Sequence, residues 1–298
     1  MSERGSKWVE LKIRVNSEYV EPTVRLFHKY LSENVFTQII DFNEESRSEN
    51  ELDVEVIGYI LSDQNFSESL TNLQVGLKLF EKIFLMSDLE MKEVFSDTWE
   101  KQEFPPIKIG RDIVIVAKNK DKKNFPDKLS LVIEPSMAFG TGHHVTTKMC
   151  IEFIEHYIKG YESVIDLGTG SGILALCSLL LGSKKVYCVD NDIEAINSAK
   201  NNFRESGFIS KSKFFHGNLF EIPVKSEKFD LVLANLTSSI LIENFKVISN
   251  MVSKNGIVIM SGILASRFNE VIKIYLNENF KLLNKLQNGN WISVVLKG

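Results

Sequence analysis

At 298 residues the chain is long enough for one large or two ordinary domains with a sizeable core. Its 44% hydrophobic and 25% charged content is the balance of a soluble globular protein. A formal net charge of −4 removes the electrostatic reason for non-specific nucleic-acid binding, while a basic protein partner stays compatible with it.

The N-terminal stretch Met1–Lys7 has no apolar core, so no secretory signal is expected. No apolar run approaches the length of a membrane span, and a cytoplasmic protein without membrane contact is the default expectation. Trp8–Val15 alternates at period two and predicts a half-buried strand. Val24, Phe27 and Leu31 recur at helical spacing within Val20–Leu31. Val35–Phe42 and Leu52–Leu61 read as strands across the polar loop Asn43–Asn50, Phe66–Phe84 as an amphipathic helix, and Met91–Phe95 as a further strand. This β-α-β-β-α-β order predicts a small ferredoxin-like α+β domain over residues 1–95.

A polar helix-like segment at Asp97–Glu103 is broken by Pro105-Pro106. Ile107–Ala117 predicts strand–turn–strand around Gly110-Arg111, and the lysine-rich Lys118–Lys128 a solvated loop. Residues 96–128 are therefore expected to link and connect, with the second domain running over 129–298.

Ser163–Asp166 reads as a buried strand, followed by the turn Gly168-Thr-Gly170-Ser-Gly172 and the apolar helix Ile173–Leu181. Strand, glycine-rich turn and helix open a doubly wound nucleotide-binding sheet. The next strand, Lys185–Asp190, ends in an acid placed to accept hydrogen bonds from both hydroxyls of a ribose. The competing role for Asp190 is to cap the helix beginning near Asp192. Cys150, Cys177 and Cys188 lack C-x-x-C spacing and fall in helical or strand patterns, as small buried apolar residues of a reducing compartment do. The adjacent His143 and His144 have no i, i+4 geometry and no acidic or cysteine cluster beside them, so no metal site is expected. At the end of the chain, Phe280–Gln287 and Trp291–Leu296 flank Asn288-Gly289-Asn290, a hairpin turn.

A dinucleotide turn wants G-x-G-x-x-G/A, and here Ile173 stands in the third place. The G-x-G-x-G that is present, with Asp166 two residues before it, resembles the turn of the S-adenosylmethionine (AdoMet) methyltransferases. Three further blocks accompany it: Glu134-Pro-Ser-Met-Ala-Phe-Gly-Thr-Gly-His-His-Val-Thr-Thr147, Phe229–Leu236 with Ala234-Asn235, and Ser261-Gly-Ile-Leu264. In this order they closely resemble the bacterial methyltransferases of large-subunit ribosomal protein eleven, the PrmA family. The resemblance is strong over Glu134–Gly298; before that it lies in the general layout and in Trp99-Glu100. His143, Val145 and Thr169 depart from the residues that many members carry, without removing a group whose chemistry matters below.

The resemblance implies a class I AdoMet-methyltransferase sheet, doubly wound and ending in an antiparallel hairpin. It implies AdoMet as methyl donor, ribosomal protein eleven as substrate, transfer to lysine or α-amino nitrogens, and an N-terminal domain that recognises that protein. By its residues, Gly168 and Gly170 admit the amino-acid end of the cofactor to the backbone. Thr147 donates to the methionine carboxylate, or else caps the helix Thr147–Tyr157. Phe139 walls the pocket near the sulfonium, or belongs to the core. Asn218, after a strand, accepts from the adenine amino group. Asn235 orients the acceptor amine, or ends its strand as a turn residue. Competing readings are the same chemistry on lysines of another protein, a nicotinamide-dependent oxidoreductase, which Ile173 argues against, and a binding module without catalysis.

Overall fold

In the computed structural model of the protein the described residues are 7–16, 19–31, 35–39, 52, 54–63, 65–95, 106–116, 123–133, 144–160, 162–219, 221–224 and 226–298. The chain divides into two compact units, Met1–Pro105 and Pro106–Gly298.

In the first unit the alternation around Leu11 and Ile13 makes β1 (Lys7–Val15), and the helical spacing after it makes α1 (Val20–Tyr30). β2 (Val35–Ile39), β3 (Val54–Leu61), α2 (Phe66–Phe80) and β4 (Glu90–Phe95) complete the order expected. All strand pairs are antiparallel, in the order β2-β3-β1-β4, which is the ferredoxin-like arrangement. Val9, Leu11, Ile13 and Val15 face Phe27, Leu73 and Leu77 of the two helices in one apolar core. Gly58 permits the close approach of α1, since a Cβ there would stand 2.5 Å from Leu31 Cδ1 and 2.7 Å from Phe27 Cδ1. The expected loop Asn43–Asn50 and helix-like segment Asp97–Glu103 lie outside the described residues.

The second unit begins at Pro106, before the boundary of 129 expected from the sequence. The reason is a small sheet of β5 (Ile107–Ile109), β6 (Ile113–Val116) and β7 (Leu129–Val132), in which β6 runs antiparallel to β5 and parallel to β7. A sequence pattern at Ile107–Val116 reveals strands but not the partner thirteen residues further on.

The large sheet contains β8 (Ser163–Leu167), β9 (Lys185–Asp190), β10 (Ser212–His216), β11 (Phe229–Asn235), β12 (Val252–Leu264), β13 (Lys281–Asn288) and β14 (Trp291–Lys297). Its order is β10-β9-β8-β11-β12-β14-β13. The first five strands are parallel, and the terminal hairpin enters antiparallel, with β14 next to β12. β12 starts earlier than Gly256, at Val252 opposite Phe229, through an irregular register before Leu231↔Ile257.

One face of this sheet packs α6 (Ser238–Glu243), α7 (Phe245–Met251) and α8 (Phe268–Asn277) around Val232, Met260, Val294 and Tyr275. The other carries α3 (Val145–Tyr157), α4 (Ile173–Leu180) and α5 (Ile193–Glu205). Strands β8, β9 and β11 are apolar on both faces, as parallel strands covered twice must be. Polar side chains are displaced to their ends, so any chemistry in this unit is confined to the rim. Cys150, Cys177 and Cys188 are free and buried; burial raises the Cys150 pKa to about 12 and the other two well above the ordinary thiol value, so all three are inert thiols. Among the described residues no helix is long and apolar enough to cross a membrane.

Candidate active site at the carboxyl rim of the parallel sheet

The strand order reverses between β8 and β11: from β8 the chain continues outward to β9 and β10, then returns to β11 on the other side. The carboxyl ends of strands at such a switch point form the crevice in which open α/β sheets bind ligands. Leu167, Asp190, His216 and Asn235 end β8, β9, β10 and β11 there.

The turn after β8 bends sharply because Gly168 and Gly170 take φ of 70° and 54°, in the left-handed region that side chains disfavour. Gly168 N and Thr169 N both donate to Val189 O of β9, which locks the turn onto the neighbouring strand. Asp190 is fixed by the same turn: its Oδ2 accepts from Gly170 N at 2.9 Å and its Oδ1 from Asp192 N at 3.0 Å. Each carboxylate oxygen has a further lone pair, so a diol can still be held. The alternative of Asp190 as helix cap is corrected by the structure. Asp192 is the N-cap of α5, and its Oδ1 accepts from Glu194 N at 2.9 Å.

α3 enters the same rim. It starts at Val145, two residues before the expected Thr147, because His144 is its N-cap and accepts from Thr146 N through Nδ1. Thr147 is therefore inside the first turn and does not cap. It is buried, and its Oγ1 accepts a long 3.5 Å contact from Asn235 Nδ2. α3 and β11 thus bring together two residues that are 88 positions apart. Asn235 Oδ1 is buried and has no partner. Asn218, two residues beyond β10, is exposed and donates to Glu221 Oε2 at 3.3 Å. It stands at the outer end of the rim, separate from the Thr147–Asn235 pair. Phe139 and His143 lie outside the described residues.

Asp166 was legible in the sequence only as the acid before the glycines. In the structure it is fully buried under the turn, with Oδ2 accepting from Thr169 Oγ1 at 2.7 Å and Oδ1 unpartnered. Burial raises its pKa to about 7 against the lowering effect of the Thr169 hydroxyl and the Ala175 amide, and the nearby Asp190 charge adds to the rise.

An AdoMet molecule carries an ammonium, a carboxylate, a ribose diol and an adenine. The rim offers the unpartnered buried Asp166 oxygen for the first, the Thr147 hydroxyl and α3 terminus for the second, and Asp190 for the third. The residues present fit the group. Among the described residues, no set of three or more His, Cys, Asp or Glu side chains could hold a metal ion.

The family model described as ribosomal protein L11 methyltransferase (PrmA) matches residues 7–298. The chain belongs to this family. A ribosomal protein L11 methyltransferase of Clostridium perfringens is 30% identical over 310 residues, covering 97% of this chain and 98% of the relative. That of Alkaliphilus oremlandii is also 30% identical, covering 98% of each. The crystal structure of a ribosomal protein L11 methylase from Lactobacillus delbrueckii subsp. bulgaricus superposes with a TM-score of 0.59 at 28% identity, covering 65% of this chain and 98% of that one. Membership of the PrmA family extends over the first unit as well, where the motifs quoted above are sparse.

Proposed function

We propose that this protein is the AdoMet-dependent methyltransferase of ribosomal protein L11 in its organism, acting on lysine or α-amino nitrogens. The observation that carries the reading is the convergence of Gly168, Gly170, Asp190, Thr147 and Asn235 on one rim, in a chain of the PrmA family. When bound, AdoMet supplies a methyl group on a positively charged sulfur that departs with its electron pair.

The protein's part is binding and orientation. Asp190, held by Gly170 N and Asp192 N, takes the ribose hydroxyls, and Gly168 and Gly170 leave room for the amino-acid end against the backbone. The Thr147 hydroxyl donates to the methionine carboxylate at the head of α3, while Asn218 accepts from the adenine at the outer rim. A lysine of reference pKa about 10.4 arrives protonated, so the site must select its neutral form. Desolvation at the rim favours that form, and the free Asn235 Oδ1 accepts from the amine N–H, turning the nitrogen lone pair toward the methyl carbon. With AdoMet bound, that orientation would set the nitrogen lone pair in line for methyl transfer, and the surplus proton on nitrogen would leave to solvent.

The first unit, Met1–Pro105, holds the protein substrate, and no nucleic acid takes part in that recognition. Mass spectrometry of ribosomal proteins from a strain lacking this chain tests the reading. L11 is expected to lose its methyl groups, and unchanged L11 masses would overturn it. Purified Asn235→Ala should lower kcat by about a hundredfold, the scale on which a misplaced reacting atom costs rate.

A further inference from the structure

Glu221 takes no part in the chemistry described so far, yet it holds a residue that does. Gly217 N donates to Asp190 O at 2.9 Å, and His216 pairs with Asp190 across β10 and β9. The segment after β10 therefore starts beside the acid assigned to the ribose, where the base attached to that ribose must lie. Asn218 follows in this segment and is exposed, so its amide is open to a ligand. Glu221 N donates to Asn218 O at 2.9 Å and closes a turn there. Just beyond it, Ile222 and Val224 are anchored in the core of the large sheet.

An asparagine amide has a donor end and an acceptor end of nearly equal shape. Turned half-way round about χ2, it reads the opposite partner. The exocyclic amino group of adenine needs the acceptor end, whereas the exocyclic oxygen of hypoxanthine needs the donor end. Here Asn218 Nδ2 donates to Glu221 Oε2 at 3.3 Å. A carboxylate accepts and cannot donate, so it holds the NH2 end of the amide and repels the oxygen. That leaves Oδ1 to meet the base.

We propose that Glu221 is a positioning residue that fixes the orientation of the Asn218 amide, and so selects an aminopurine over an oxopurine in the cofactor. The inference rests on the AdoMet-dependent function proposed above, with Asn218 as the contact to the base. One hydrogen bond to a carboxylate, between exposed groups, biases the amide about tenfold toward one orientation. A glutamine accepts or donates equally well, so Glu221→Gln releases the amide to both orientations.

In the test, full-length parent and Glu221→Gln are titrated by calorimetry with S-adenosylhomocysteine and S-inosylhomocysteine. These differ in the base alone, amino in the first and oxo in the second. In Glu221→Gln the adenosyl compound should bind about twofold more weakly, since about half the amides remain correctly turned. The inosyl compound should bind about fivefold more tightly, so the ratio of the two affinities falls about tenfold. An unchanged ratio overturns the proposal, as does equal weakening of both compounds, which marks a merely structural role.

A second comparison isolates the route through Asn218. Added to Asn218→Ala, Glu221→Gln should leave the ratio where Asn218→Ala has put it. A further fall in the double variant shows that Glu221 acts by another path and overturns the proposal. A parent that binds neither compound instead overturns the AdoMet reading, and this inference with it.

Discussion

The two sheets of this protein treat polar side chains in opposite ways. In the first unit, Glu10, Lys12 and Arg14 alternate with Leu11 and Ile13 along β1. They are matched by neighbours: Lys12 with Glu10 and Glu55, Arg14 with Glu55, and Tyr59 Oη donating to Glu10 Oε2. In the second unit the middles of β8, β9 and β11 are largely apolar, and polar groups gather toward the strand ends, several of those near the carboxyl ends unmatched. An antiparallel sheet has hairpin connections and can afford a polar face, on which charges pair with one another. A parallel sheet is covered by helices on both sides, so only its rim can hold functional groups. Polar groups that are mutually satisfied serve the fold, and those left open at a rim await a ligand.

The sharpest way to break this comparison is to separate the units. A chain lacking residues 1–105 should bind AdoMet near normally in calorimetry yet show no detectable methylation of intact L11, since poor placement costs orders of magnitude in rate. Full activity of the truncated, folded chain would show that the first unit does not hold the substrate.

Asp166 offers the next largest effect. Its folded pKa of about 7 lies above the ordinary value of 3.8, so the folded protein binds the extra proton between those limits. Stability of the ligand-free protein should therefore be highest on this account below about pH 4 and fall as pH rises through 7. The loss is a few kcal/mol at most, about 1.4 kcal/mol per pH unit over that window. Unfolding curves between pH 5 and 8.5 should show this slope in the parent and a flatter one in Asp166→Asn. Equal slopes would mean that Asp166 ionises normally.

Asp190→Ala should weaken AdoMet binding tenfold or more, through loss of charge-assisted hydrogen bonds to the ribose. Titration of a folded variant with parental affinity would remove Asp190 from the cofactor site. The smallest effect belongs to the first unit. Arg14→Ala removes an ion pair whose arginine is about half exposed, and should cost less than roughly 1 kcal/mol in thermal unfolding. A loss of several kcal/mol would show that the charged face of this sheet is not the satisfied surface described above.

Much of this architecture was legible residue by residue. Period-two and helical patterns located β1, α1, β9 and β11 to within a residue or two, because local periodicity reports which face is buried. Boundaries set by partners were not legible. Thr147 reads as the start of a helix, yet α3 begins at Val145 because the His144 ring folds back onto Thr146 N, against Trp291 from the far end of the chain. In sequence Asp190 had capping of the helix near Asp192 as its alternative role, and the structure gives that role to Asp192 while the glycine turn claims Asp190 through Gly170 N.

The sequence by itself determined the two-part order of elements, the left-handed glycine turn and the acids placed around it, since backbone conformation and alternating burial are local properties. Tertiary structure alone decided which of these groups meet. Asn235 finds Thr147, Trp291 finds His144, and the 107–116 strands find β7, because strand order in a sheet is set by packing between segments that share no local pattern. The burial that lifts Asp166 to near neutrality is likewise a property of the folded unit and not of the local pattern.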